Sequence, residues 1–175
     1  MSLLSTDYIF SKEMFLMELA AKRNFEVKYY EKDENTWVVE SHVIDDPHDI
    51  CIWVDINMND FIVTDAKIEF KKFPMKHCAL MEEQAKKLIG LKVDNTFMQN
   101  AMSKLMGPEG CPNITALLSI SVPGILYYYY PYKVETGKMK KEEFQNIVDT
   151  DLKNACLGHT LNNNADIFEN YPHTK

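Results

Sequence analysis

The sequence has too few cysteines for a disulfide-stapled scaffold. Four occur in 175 residues (Cys51, Cys78, Cys111 and Cys156), and no two of them form a CxxC pair. The N-terminus also lacks the basic segment, apolar stretch and small-residue cleavage pattern of a secretory signal. We therefore expect reduced thiols and a cytoplasmic protein.

Long apolar runs and an excess of positive charge are missing as well. The longest apolar run, residues 122–130, is interrupted by Gly124, whereas roughly 20 apolar residues are needed to span a bilayer. With 19 Lys and Arg residues against 26 Asp and Glu residues, the net charge is −7. An acidic chain gains nothing electrostatically from nucleic acid or an anionic membrane, so we expect neither as a partner.

The pattern of apolar residues predicts strands first and helices afterwards. Between residues 25 and 70, four runs alternate apolar and polar residues and are separated by turn-forming segments at 33–35, 45–49 and 57–60. Short connections of this kind predict a four-stranded antiparallel meander. For residues 1–24 we predict an N-terminal extension with a helix.

Helical spacing follows the predicted strands. Apolar residues recur every three or four positions over residues 78–89, 97–106, 112–121 and 140–155. Gly90 suits the end of the first helix and Pro112 the first position of the third, which Pro123-Gly124 should kink or end. The sequence therefore predicts an α+β fold, in which C-terminal helices pack on the meander within one domain spanning residues 25–173.

Cys111 is the residue whose position most favours chemistry. Because it lies between Gly110 and Pro112, it is the predicted N-cap of the third helix, where unpaired N–H groups and the helix dipole favour a thiolate or a bound anion. Cys78 similarly precedes the first predicted helix. The alternative is that each cysteine is a small buried hydrophobe, as free cysteines usually are.

The histidines allow a metal site to be considered. His159 lies three residues after Cys156, a spacing that occurs in zinc sites. Since a second pair is missing, a zinc site would need ligands from separate segments: Cys78, Cys111, Cys156 and His48 or His159. The alternative for each histidine is a hydrogen-bonded loop residue.

Three functions remain open. The leading one is a small-ligand or metal-binding module at the start of the third helix, with Cys78, Cys111, Asn113 and Tyr128 binding the ligand. The second is a thiol-dependent enzyme with Cys111 as nucleophile and His48 or His77 as base. The third is an interaction or structural protein that associates, for example with itself, through Tyr127–Tyr132. No P-loop, GxGxxG or GxSxG motif points to a nucleotide site or an α/β-hydrolase.

Several motifs in combination resemble a known family. Residues 30–45 read as a tyrosine, a charged turn, Trp37, an alternating strand and an aspartate, which is similar to the opening of the bacterial domain of unknown function DUF2889. His48-Asp49-Ile50 resembles its His-Asp-Met, and Pro74 followed by Cys78 resembles its Pro-then-Cys step. The remaining similar pieces are Gly107 to Ile114, Asn154-Ala155-Cys156 and Tyr171-Pro172.

The resemblance implies no activity, but it singles out Cys78, Cys111, Cys156 and His48. The sequence departs from the family pattern at two histidines. Asn113 stands where the pattern has His, and His159 is displaced from the position directly after Cys156. If the family's Cys and His residues bind a metal, this chain has lost one ligand and moved another.

Overall fold

The predicted antiparallel meander is confirmed by the computed structural model, which describes residues 18–153, 157 and 160. Four strands form one sheet in chain order: β1 (Asn24–Asp33), β2 (Thr36–Ile44), β3 (Asp49–Asn57) and β4 (Ile62–Lys72). Residues 18–23 are irregular, and the rest of the helix predicted within residues 1–24 lies outside the described residues.

One face of the sheet forms the floor of the core because side chains alternate along each strand. The buried residues of this face are Trp37, Val39, Ser41 and Val43 on β2 and Ile50, Ile52, Val54 and Ile56 on β3, whereas the buried Cys51 alternates to the other face. The register pairs Val39 with Val54 and Val43 with Ile50, so the buried rows of the two strands coincide. Alternation in the sequence therefore predicts the core face correctly.

Helices cover this face. After the sheet come α1 (Met81–Gln84), α2 (Phe97–Leu105), α3 (Pro112–Ser121), α4 (Leu126–Glu135) and α5 (Lys141–Thr150). The buried residues of α2 and α3 join the sheet in the main core, whereas Phe144, Val148 and Leu152 form a smaller cluster around α5. Among the described residues, no helix is long and apolar enough to cross a membrane.

The helix predicted over residues 78–89 is not continuous. Two 3₁₀ turns, Lys76–Leu80 and Ala85–Leu88, flank the single α-turn of α1. The segment is tied to β4 at its middle and just after its end, since the Glu82 carboxylate accepts a hydrogen bond from the Phe70 N–H (2.9 Å) and the Gly90 N–H donates to the Val63 carbonyl (2.8 Å). These attachments to a strand edge leave little room for a regular helix.

A hydrogen bond from Tyr29 joins β1 to the end of α3, and removal of this bond should lower the free energy of unfolding measurably. Its hydroxyl donates to the Ser121 carbonyl (2.8 Å). We expect Tyr29→Phe to lower the free energy of unfolding by about 1 kcal/mol, as for one lost hydrogen bond. Urea unfolding measures this, with Tyr30→Phe as the control, because the exposed Tyr30 makes only a 3.3 Å contact with Glu40. Equal losses of unfolding free energy in the two variants would contradict this role of the Tyr29 hydroxyl.

The same hydroxyl makes stability depend on alkaline pH. Desolvation by burial, with a smaller contribution from Tyr128, raises the pKa of Tyr29 from 10.0 to about 12. Because the folded state holds the proton more tightly than the unfolded state, this stabilisation is fully present below pH 10 and lost as the pH rises through about 12. Tyr29→Phe should therefore flatten the fall in stability in this window. If stability depended on pH in the same way in Tyr29→Phe and the wild-type protein between about pH 10 and 12, the raised pKa of Tyr29 would not be the cause.

Candidate functional site

A cleft of about 730 Å³ lies where three separate segments meet. The β2–β3 loop contributes one histidine, the segment around α1 forms one wall, and the turn before α3 forms the other. Its polar lining residues are His48, His77, Cys78, Gln84, Glu109, Cys111 and Asn113. The structure thus brings together Cys78, Cys111, His48 and Asn113, four of the site residues predicted from the sequence.

The turn before α3 fixes the position of Cys111. The Cys111 N–H donates to the Leu105 carbonyl (2.9 Å), which holds the turn against the end of α2. A Cβ atom on Gly110 would lie 2.1 Å from that carbonyl oxygen, so the turn accepts only glycine at this position. Gly107, with φ of +84°, opens the turn in a conformation that also favours glycine.

Cys111 is the N-cap of α3, as the sequence predicts. Its backbone is extended (φ −138°, ψ 120°), and Pro112 follows at the first helical position. The Cys111 carbonyl accepts from the N–H groups of Ile114 (3.1 Å) and Thr115 (3.3 Å). Its side chain makes no capping hydrogen bond, so the half-buried sulfur lies at the start of the helix dipole without being used as a cap.

The rest of the cleft wall is mainly apolar. Met75 and Leu80 are 65% and 62% exposed, which is unusual for side chains of this size, and Pro74, Met81 and Pro108 continue the same surface. Gln84 lines the cleft too, and its Oε1 atom is buried without a hydrogen-bond partner among the described residues. An unsatisfied buried acceptor costs free energy unless a bound molecule donates to it.

A hydrogen-bonded chain orients His48. The Asp45 Oδ1 atom lies 2.8 Å from both the backbone nitrogen and the ring Nδ1 of His48. The other carboxylate oxygen of Asp45 accepts from Arg23 Nε (2.6 Å), and Arg23 Nη1 donates to the Asn113 side-chain oxygen (3.1 Å). The β2–β3 loop is therefore linked to the first turn of α3, two residues after Cys111.

The charge of Asp45 determines which nitrogen of His48 carries the proton. Desolvation raises the pKa of Asp45, but hydrogen bonds from His48 and Arg23 outweigh it, and the net pKa is lower than usual. Asp45 is therefore a carboxylate near neutral pH and can only accept a hydrogen bond. Nδ1 of His48 must then be the donor, which leaves Nε2 as the nitrogen that can accept a proton.

Tyr128 does not line this cleft. Its ring stacks on Tyr29 with centroids 4.4 Å apart, and the side chain is 53% exposed. Its neighbours on α4 point largely inward: Tyr129 is buried at the edge of the Trp37 ring, and Tyr132 also contacts Trp37. Much of the Tyr127–Tyr132 segment therefore serves packing, and its use as an interaction surface stays a prediction.

The structure describes only some of the predicted metal ligands, because Cys156 and His159 lie outside the described residues. Within residues 18–153, 157 and 160, no three His, Cys, Asp or Glu side chains are grouped closely enough to bind one metal ion. A zinc site would therefore need at least one ligand from outside the described residues, such as the predicted Cys156 or His159, so it stays a prediction that elemental analysis of the purified full chain can test.

The sequence alone assigned no role to Arg23, Asp45 or Gln84. The spacing of Asp45 three residues before His48 is a local signal that could have paired them. Arg23 lies 90 positions from Asn113, and nothing in the sequence distinguishes Gln84 from other glutamines.

Comparisons with known proteins support a family but no activity. A family model described as "Protein of unknown function (DUF2889)" matches residues 21–124. This range contains the whole sheet, α1 to α3 and every residue that lines the cleft. Comparison with curated proteins and with solved structures gave no match.

Proposed function

The chain belongs to the DUF2889 family, and we propose that it is a cytoplasmic module that binds a small organic molecule in the cleft beside Cys111. The observation that carries this proposal is a largely apolar cleft in which three separate segments bring together His48, Cys78 and Cys111. A volume of about 730 Å³ lies within the range of small-molecule sites, roughly 300–1,000 Å³.

The lining restricts the chemistry of the ligand. The exposed Met75 and Leu80 favour an apolar group, since covering them removes hydrocarbon from water. His48 and Glu109, which line the same cleft, offer acceptor atoms to an N–H or O–H donor. The proposed ligand is therefore an amphiphilic molecule with an apolar part and at least one hydrogen-bond donor.

The binding proposal can be tested with the fluorescent amphiphile anilinonaphthalene sulfonate as a probe. We expect saturable binding to the wild-type protein, and Leu80→Glu should weaken it about tenfold, because loss of one apolar contact is worth about 1.4 kcal/mol. Ile120→Glu is the matched control, since Ile120 is an exposed apolar residue that does not line the cleft. No binding by the wild-type protein, or equal weakening by both variants, would overturn the proposal.

Gln84 should lower the stability of the ligand-free protein. We expect Gln84→Met to raise the free energy of unfolding by about 1 kcal/mol, because it removes the buried unsatisfied oxygen while keeping the side-chain length. Gln99→Met on the exposed face of α2 is the control, with an expected change within about 0.5 kcal/mol. Urea unfolding measures both. A destabilised Gln84→Met variant would show that the oxygen is already satisfied.

A further inference from the structure

We infer that the cleft is a catalytic site in which Cys111 accepts the acyl group of an ester or thioester and His48 acts as its base. The inference rests on the proposed function, because the acyl compound is the ligand of the same cleft. It depends on a helix-cap thiol and an imidazole, oriented by a buried carboxylate, that line the same cleft.

Asp45 and His48 supply two parts of a nucleophile–base–orienting group arrangement. The Asp45 side chain is only 8% exposed and holds both the backbone and the ring of His48 at 2.8 Å. This fixes the ring and leaves Nε2 as the proton acceptor. Since His48 lines the cleft, the base and the thiol of Cys111 face the same space.

Arg23 and Asn113 act as positioning residues. Arg23 binds Asp45 and reaches the side chain of Asn113, so the loop with the base and the helix with the thiol belong to one hydrogen-bonded frame. The link fixes the position of the His48 loop relative to the start of α3. A base that merely sat in a mobile loop would lack this connection to its nucleophile.

Cys111 is better placed than the other described cysteines. It caps a ten-residue helix, whose dipole favours both a thiolate and the oxyanion of an acyl intermediate at this end. Cys78 lies within a five-residue 3₁₀ turn, Lys76–Leu80, which is too short to supply a comparable helix dipole. Cys51 is buried in β3 and does not line the cleft.

The proposed reaction balances without a redox partner. His48 Nε2 takes the thiol proton, and Sγ of Cys111 bonds to the acyl carbon. The bond from that carbon to the leaving oxygen or sulfur breaks, and the leaving group takes the proton from His48. Water then gives a proton to His48 and attacks the acyl-cysteine, which releases the carboxylic acid and returns the proton to the thiol. The apolar wall at Met75 and Leu80 favours acyl chains longer than acetyl.

The closing experiment uses p-nitrophenyl butanoate with the full chain, read by nitrophenolate release and peptide mass mapping. We expect a burst of nitrophenolate and a butanoyl group on Cys111, no burst with Cys111→Ser, and an acylation rate about 100-fold lower with His48→Gln. His42→Gln is the matched control, because His42 contacts Asp49 (2.7 Å) but does not line the cleft. Its rate should match the wild-type rate.

Further readouts separate catalysis from folding and from binding. Added imidazole should restore acylation in His48→Ala but not in Cys111→Ser. Asp45→Asn should lower the acylation rate at saturating ester about tenfold while the affinity for anilinonaphthalene sulfonate stays the same. If the wild-type protein binds that probe but Cys111 is never acylated, the catalytic inference falls and the binding proposal stands. If it does neither, both fall.

Discussion

Replacement of Gly110 by alanine is expected to lower the free energy of unfolding by about 3 kcal/mol, close to the upper end of overpacking costs. The added Cβ atom would lie 2.1 Å from the Leu105 carbonyl oxygen and 2.5 Å from the Met106 Cα atom. Both are backbone atoms, which cannot rotate away as a side chain can. The turn must therefore move, and the Cys111 N–H loses its bond to Leu105. Urea unfolding followed by circular dichroism measures the loss.

Gly107→Ala in the same turn is the control for this effect. Gly107 has φ of +84°, but a Cβ atom there would meet nothing within 4 Å. Its replacement adds conformational strain without a collision, so we expect a cost of about 1 kcal/mol. A similar loss from both variants would show that steric contact with Leu105 does not hold the turn.

Alkylation of the cysteines should be strongly selective. We expect iodoacetamide near pH 8 to modify Cys51 at least about 100-fold more slowly than Cys111, because alkylation requires an accessible thiolate. Cys51 is 3% exposed, and burial, with a smaller contribution from Glu40, raises its pKa to about 11. Cys111 is half-buried at the cleft surface. Peptide mass mapping over time gives the rate at each cysteine separately.

The selectivity should disappear when the chain is unfolded. In concentrated urea the two thiols lose their different surroundings, so their alkylation rates should approach each other. Rapid modification of Cys51 in the native protein would contradict the burial of β3 at this position.

Much of the sheet was predictable because one face of it is buried. A period of two separates core from surface on β2 and, apart from the buried Cys51, on β3, so Val39, Val43, Ile52 and Val54 reveal the inner face directly. The N-cap at Cys111 was equally predictable, since Gly110 and Pro112 are local signals at adjacent positions.

The helical half was harder to predict where tertiary packing overrides residues that usually break helices. Pro123-Gly124 was expected to kink or end the third helix, and α3 does end at Ser121. The chain then passes through a 3₁₀ turn, Val122–Ile125, directly into α4, a helix that the sequence did not predict. α4 then contains Pro131 in its interior, where burial of Tyr129 and Pro131 against the core outweighs low helix propensity. The interrupted helical segment around α1, with its two flanking 3₁₀ turns, depends likewise on hydrogen bonds to β4.

The composition of the cleft depends on contacts between distant positions. Local sequence indicates that Cys78 and Cys111 each precede helical structure, but only the packing of the helices on the sheet brings them to one cleft with His48. The link from Arg23 to Asn113 and the unpartnered oxygen of Gln84 have no local signature. Side-chain pairing of this kind follows from the folded arrangement and is not encoded in a periodic pattern.

An NMR titration of the full chain with anilinonaphthalene sulfonate tests most directly whether this cleft is the ligand site. We expect saturable shifts of the backbone amides of Cys78, Gln84, Cys111 and Asn113, all with one affinity, because these residues line the same cleft. Shifts confined to the opposite face of the sheet, around Trp53 and Lys67, or no saturable shifts at all, would contradict it.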